Sequence, residues 1–208
     1  MMGIKLGRMI LSSIGTNCYF AYNEDKAALV FDPGDDGEGI YDRLTEKGFR
    51  IAGIVLTHGH FDHIMGVDAL KKKADCQVYA PAAEEKLLSD PELNCTSDMD
   101  RQCTVKPDVL LEDGEIVNVE GISFRTILTP GHTAGSACFY FEDDRLLISG
   151  DTLFEGSVGR TDLPTGNMGE LVRSIKTKLM VLPDDVEVYP GHGGQTTIGE
   201  EKKYNPFF

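Results

Sequence analysis

A chain of 208 residues with 41% hydrophobic and 26% charged side chains is long enough to bury a sizeable core, and it has neither a fibrous nor a disordered composition. Its formal net charge of -14 argues against a nucleic-acid or anionic-membrane partner, because both are bound largely through Lys and Arg. No apolar run reaches the length of a membrane span, and residues 1–8 lack the long hydrophobic core of a secretory leader, so a cytoplasmic protein is expected.

Residues 9–12, 18–22 and 27–31 alternate or run apolar with aromatic and β-branched content and read as three short strands. Residues 39–47 have helical spacing, with Ile40 and Leu44 on one face and Gly48 as the stop. An apolar strand over 51–57 follows, then a helix over 64–74 whose last turn carries Lys71, Lys72 and Lys73, favourable to the helix dipole. A strand at 77–80 and a short helix at 82–88 lead into Ser89 to Pro107, a polar stretch of little periodicity that reads as a long loop. It either shapes a pocket beside the site or runs over the surface.

Strands then dominate, at 109–111, 116–119, 122–128, 137–141 and 145–149. An amphipathic helix over 168–182 stops at Pro183, before a strand at 186–189 and a terminal helix at 197–204. Strands followed by helices occur twice, which suits two packed sheets with helices outside. No Pro/Gly/Ser-rich linker divides the chain, so residues 1–208 read as a single domain. The cysteines, Cys18, Cys76, Cys95, Cys103 and Cys138, are odd in number and scattered, and are expected to be reduced thiols, although Cys95 and Cys103 are near enough in sequence for a local disulfide.

The five histidines carry the chemistry. His58, His60 and His63 share one short segment with Asp62, just after an apolar strand. His132 and His192 each follow a Pro-Gly pair beyond another strand, and Asp151 follows Ser149-Gly150 in the same context. Strand ends in one sheet can converge, and glycines let the backbone approach the meeting point. Neutral imidazole and carboxylate suit zinc, iron or manganese, and the absence of cysteine disfavours a closed structural zinc site. Seven candidate ligands exceed one tetrahedral sphere. Two divalent ions bridged by a carboxylate and a hydroxide would use them all, and such a hydroxide is a nucleophile at neutral pH.

The string His58-x-His60-x-Asp62-His63, then His132, Asp151 and His192, resembles the metallo-β-lactamase superfamily pattern, in order and over nearly the whole chain. The resemblance implies an α+β fold, an αββα sandwich of two mixed sheets with helices on both outer faces. It assigns His58, His60 and His132 to one metal and Asp62, His63 and His192 to the other, with Asp151 bridging. Asp62 and Asp151 would also orient the hydroxide and so act in catalysis. Asp32 matches an early aspartate that supports the metal loop from behind; the alternative is a simple turn former.

Within the superfamily, His60 separates the chain from flavodiiron proteins, which typically carry glutamate there, and Asp151 separates it from β-lactamases with cysteine at that place. Gly150 to Phe154, Gly159-Arg160-Thr161-Asp162 and the Pro190 to Glu200 run are similar to short glyoxalase II-like members. That branch implies a thioesterase cleaving a small hydroxyacyl-thiol thioester, most simply with two zinc ions. Arg160 matches a basic position that contacts the thiol carrier; a salt bridge to Asp162 is the alternative. Mononuclear-iron persulfide dioxygenases share the Gly-Arg-Thr-Asp segment and are the rival chemistry. The residues indicate no particular oligomeric state.

Overall fold

The computed structural model of the protein describes residues 3–208. β1 (Lys5–Leu11), β2 (Thr16–Tyr22) and β3 (Ala27–Phe31) form an antiparallel meander. β4 (Arg50–Val55), β5 (Gln77–Pro81) and β6 (Val109–Leu111) continue the sheet in parallel, giving six strands in chain order. Parallel neighbours need crossover connections. α1 (Gly37–Glu46) crosses from β3 to β4; α2 (Phe61–Ile64) and α3 (Val67–Ala74) cross from β4 to β5. A 3-10 turn (Ala82–Glu84), α4 (Glu85–Leu88) and the loop beyond it lead to β6.

The second half begins with the antiparallel β7 (Ile116–Val119), β8 (Ile122–Leu128), β9 (Ala137–Phe141) and β10 (Leu146–Gly150). A two-stranded hairpin, β11 (Leu153–Phe154) and β12 (Ser157–Val158), and α5 (Met168–Ser174) then carry the chain to β13 (Glu187–Pro190), which lies parallel to β10. β14 (Thr196–Thr197) and α6 (Ile198–Tyr204) complete it, with sheet order β14-β13-β10-β9-β8-β7.

Period-two alternation sorts the apolar side chains into three layers. Leu29 and Phe31 of β3 point between the sheets, with Val55, Phe124, Phe139 and Phe141, while Val30 points to the helix side with Ile40, Leu44, Ile54 and Leu70. On β9, Phe139 and Phe141 enter the central layer, and Cys138 and Tyr140 face Leu171, Ile175 and Leu179. The Phe31 ring sits 5.7–6.1 Å from Phe124, Phe139 and Phe141 in tilted and edge-on contacts, the arrangement aromatic quadrupoles favour. The result is an αββα sandwich. No described helix is long and apolar enough to cross a membrane.

The helix expected over 64–74 is broken at Met65 and Gly66. The Gly66 N–H donates to the Pro33 carbonyl at 2.8 Å, and a Cβ there would press on the Pro33 and Asp35 carbonyl oxygens. Tertiary contact with the turn after β3 thus overrides helical periodicity. The helix expected over 168–182 ends in a turn of π-helix, Ile175–Leu179, closed by the Met180 N–H on the Ile175 carbonyl at 2.9 Å. β1 and β2 start earlier than their hydrophobic pattern suggests, and the two-residue strands β11, β12 and β14 are too short for any periodic signal.

Candidate metal centre

The chain places its polar side chains at the C-terminal ends of strands. β4 runs out into Thr57, His58, Gly59 and His60, and His60 then caps α2, so Asp62 and His63 occupy the first turn of that helix. β8, β10 and β13 point the same way in the second sheet, because β9 reverses the chain between β8 and β10 and β13 is parallel to β10. His132, Asp151 and His192 follow those three strands and reach the same edge. Gly191 is required there, since a Cβ at that position would run into Asp151 Oδ1 and His63 Cε1.

All seven residues come together. His132 Nε2 lies 2.9 Å from His60 Nδ1 and 3.2 Å from His58 Nε2. Beside this triad, Asp62 Oδ2 lies 3.1 Å from His192 Nε2 and 3.6 Å from His63 Nε2. Asp151 stands between the halves: Oδ1 is 3.4 Å from His63 Nε2, and Oδ2 is 3.7 Å from His132 Nε2 and 3.6 Å from His192 Nε2. A tetrahedral ion with bonds of ~2.0–2.1 Å would hold its ligand atoms ~3.3 Å apart, within the observed spread. His63 Nε2 and Asp151 Oδ1 are also buried without a hydrogen-bond partner. Buried polar atoms without partners are rare, and cations at this point would satisfy both.

The electrostatics divide the cluster in two. Burial drives the His58 imidazole well below its ordinary pKa, reinforced by His63, His132 and His60. Burial and His132 push His60 down to about 3, and burial lowers His132 against the pull of Asp151 and the Arg160 carbonyl. These three are neutral, the form that binds metal. At His63, burial is outweighed by Asp151, Asp62 and Asp32, which hold its pKa up to about 10. At His192, too, burial is outweighed, here by the hydrogen bond its ring N–H donates to Asp62 and by the charge of Asp151, and the pKa rises. Burial would raise Asp62, but His63 and His192 keep its carboxyl well below the usual carboxylate range.

Buried groups behind the cluster fix its orientation. Asp32, in a left-handed conformation with φ of 50°, accepts from the Thr57 N–H at 2.8 Å and the Thr57 hydroxyl at 2.7 Å, and its Oδ2 is 3.0 Å from His63 Nδ1. This aims His63 Nε2 at the cluster, as carboxylates behind metal-binding histidines do. His132 Nδ1 is held by the Arg160 carbonyl at 2.7 Å. The Arg160 side chain is 61% exposed and pairs with Asp162 at 2.7 and 2.8 Å; it lies outside the cluster.

Three supporting residues escaped sequence reasoning. The Thr16 hydroxyl donates to Asp62 Oδ2 at 3.0 Å. The Asn17 side chain donates to the Pro190 carbonyl at 2.9 Å and the Gly193 carbonyl at 3.1 Å, on either side of the His192 loop. The fully buried Glu84 accepts from the Gly59 N–H at 3.0 Å. Thr16 and Asn17 read as turn residues. The available signal for Glu84 was an acid at helical spacing from Leu87 and Leu88, on a face that should be apolar. The 89–107 loop packs beside the centre, with the Asn94 carbonyl accepting from the Phe61 N–H at 3.0 Å. All five cysteines are free, including Cys95 and Cys103.

The model of the metallo-beta-lactamase superfamily matches residues 13–192. The chain belongs to that superfamily. It is 43% identical to "Probable metallo-hydrolase YqgX" of Bacillus subtilis (strain 168), over 98% of this chain and 97% of the relative. It is 35% identical to "Hydroxyacylglutathione hydrolase GloC" of Haemophilus influenzae, over 92% of each chain. Among solved structures, a B3 metallo-beta-lactamase, BLEG-1, superposes with a TM-score of 0.92 at 41% identity, covering 98% of this chain and 99% of that one. TTHA1623 in a di-iron-bound form superposes with a TM-score of 0.86 at 33% identity, covering 97% and 100%. Membership places the protein among metallo-hydrolases, with a His/Asp cluster suited to divalent metals.

Proposed function

We propose that the protein is a thioesterase of glyoxalase II type, using two divalent ions at this edge. The observation that carries the metal reading is the convergence of seven ligand-type side chains, with His63 Nε2 and Asp151 Oδ1 buried and unpartnered at its centre. His58, His60 and His132 would hold one ion and Asp62, His63 and His192 the other, with Asp151 shared. Zinc suits this donor set; iron is the alternative supported by the di-iron-bound neighbour, and manganese is compatible with the same ligands. Bound there, the ions would supply a hydroxide nucleophile at neutral pH and polarise an acyl oxygen.

The chain's own residues do the rest. Asp62 and Asp151 orient the attacking water, with Asp62 itself fixed by the Thr16 hydroxyl. Attack forms a carbon–oxygen bond and breaks the carbon–sulfur bond, and the thiolate needs little help to leave, since thiols have a pKa near ~8.5. Arg160, exposed and paired with Asp162, would leave that aspartate to meet the thiol carrier. The choice of a small hydroxyacyl thioester rests on the 35% identity with the hydroxyacylglutathione hydrolase.

A second reading, cleavage of a β-lactam amide, takes support from the B3 metallo-beta-lactamase at 41% identity, although the aspartate at position 151 weighed against lactamases in the sequence. The deciding experiment is metal analysis of the purified protein together with assays on lactoylglutathione, a chromogenic cephalosporin and a glutathione persulfide. About two metals per chain and fastest turnover of the thioester are expected. Full metal loading with no thioester cleavage would overturn the proposal. Cephalosporin turnover would establish the lactamase reading, and one iron with persulfide-dependent oxygen uptake would establish a dioxygenase.

A further inference from the structure

We infer that Glu84 is a positioning residue for the metal centre, its carboxylate tying the loop of His58 and His60 to the loop of His132. The inference rests on the reading of these three histidines as ligands of one ion. Glu84 ends the 3-10 turn after β5, and its side chain is completely removed from solvent. Oε1 accepts from the N–H of Gly59, the residue between His58 and His60. In extended backbone, alternate side chains share a face, so the residue between them faces the other way. Gly59 does so: a Cβ there would press on Leu87 and Leu88 of α4.

The other oxygen faces the second loop. Oε2 is buried without a hydrogen-bond partner and lies against Gly135, where a Cβ would run into it and into the backbone of Ala83 and Glu84. Gly135 follows His132 by three residues, in the turn closed by the Thr133 and Ser136 hydroxyls at 2.6 Å. A buried carboxyl with one hydrogen bond is costly, and an apolar residue of similar volume would pack there at less expense. Nothing in the reaction uses Glu84, since the hydroxide-orienting carboxylates are Asp62 and Asp151. Its place between the two loops accounts for it: it fixes the spacing of His58 and His60 relative to His132.

The test uses cobalt(II) as the probe on the full-length protein, with E84M, which keeps the volume and removes the acceptor, and E84Q, which keeps an acceptor for Gly59. E84M should lose cobalt affinity at the His-rich site by about 10–100-fold, with a changed visible spectrum, while the second site loads as before. E84Q should restore both affinity and spectrum to near wild type. Unchanged affinity and spectrum in a folded E84M would overturn the inference, as would equal losses in E84M and E84Q. A reading independent of either variant is the Gly59 amide of the metal-free wild type, which should exchange slowly with solvent; fast exchange in the folded protein would also overturn it. If the wild type bound no cobalt, the ligand assignment itself would fail, an outcome distinct from normal loading of both wild type and E84M.

Discussion

His63 and Arg160 lie at the same edge of the sandwich under opposite conditions. The His63 side chain has no exposure; Asp32 holds one nitrogen at 3.0 Å, while the other faces Asp62 and Asp151. The Arg160 side chain is 61% exposed, and its guanidinium is bonded to an aspartate two residues away in the chain. A buried group with several partners has one orientation, whereas an exposed ion pair contributes little and breaks readily. Arg160 belongs to both worlds, because its backbone carbonyl orients His132 while its side chain is exposed and held only by the local pair with Asp162. The groups that face the His/Asp cluster are therefore fixed before any ligand arrives. The groups that would choose the substrate are held by local contacts that a ligand can replace.

The comparison breaks most visibly if a ligand is removed. His60→Ala should lower hydrolysis by more than ~100-fold, beyond the range seen for groups behind the ligands, with one metal lost per chain. The metal-free variant should stay folded, because His60 sits among the other histidines at the sheet edge and not in the apolar layers. Activity within a few-fold of wild type would remove His60 from the centre. Asp32→Asn comes next. It keeps the shape and hydrogen-bonding size but weakens the hold on His63 Nδ1 and should cost ~10–100-fold in affinity at the carboxylate-rich site. Titration with a metal indicator separates that site from the His-rich one.

Proton coupling sharpens the internal division of the cluster. In the metal-free protein, Asp151, Asp62 and Asp32 raise His63 to about 10, so it carries a proton at pH 7 that a metal must displace. Each displaced proton makes affinity fall about tenfold per pH unit below the group's pKa. Affinity at the Asp62, His63 and His192 site should thus rise from pH 6 to pH 8, with proton release measurable by calorimetry in buffers of differing ionisation enthalpy. The His58, His60 and His132 site, held neutral by burial, should show little of either effect in this range. Equal pH dependence at both sites would contradict the division.

What could be read in the sequence follows the same line. Candidate ligands at strand ends announce themselves by residue type: His58, His60 and His63 in one segment, and glycines beside His132, Asp151 and His192. The layers were legible because strands followed by helices occur twice, and the structure shows β3 and β9 buried on both faces, as a sheet covered on two sides requires. The groups behind the ligands were mostly invisible. Thr16 and Asn17 act on partners far along the chain, Asp62 and the His192 loop respectively, and no local pattern encodes such a contact. Gly66 broke an expected helix for the same reason, through the Pro33 carbonyl. Asp32 was the exception only because the family pattern marked its place.

Arg160→Ala is the smallest and most discriminating change. The side chain is exposed and its ion pair with Asp162 is local, so the melting temperature should not move. Metal content should not move either, since His132 is held by a main-chain carbonyl that the substitution keeps. If the guanidinium meets an anionic thiol carrier, KM for a glutathione thioester should rise by less than about tenfold, with kcat unchanged, and the effect should shrink as salt is added. A carrier lacking negative charge should show no such rise. A drop in kcat with KM constant would instead place the side chain at the reacting carbonyl. No change for either carrier would make the Asp162 pair its whole role and leave the choice of substrate to the main chain and the 89–107 loop.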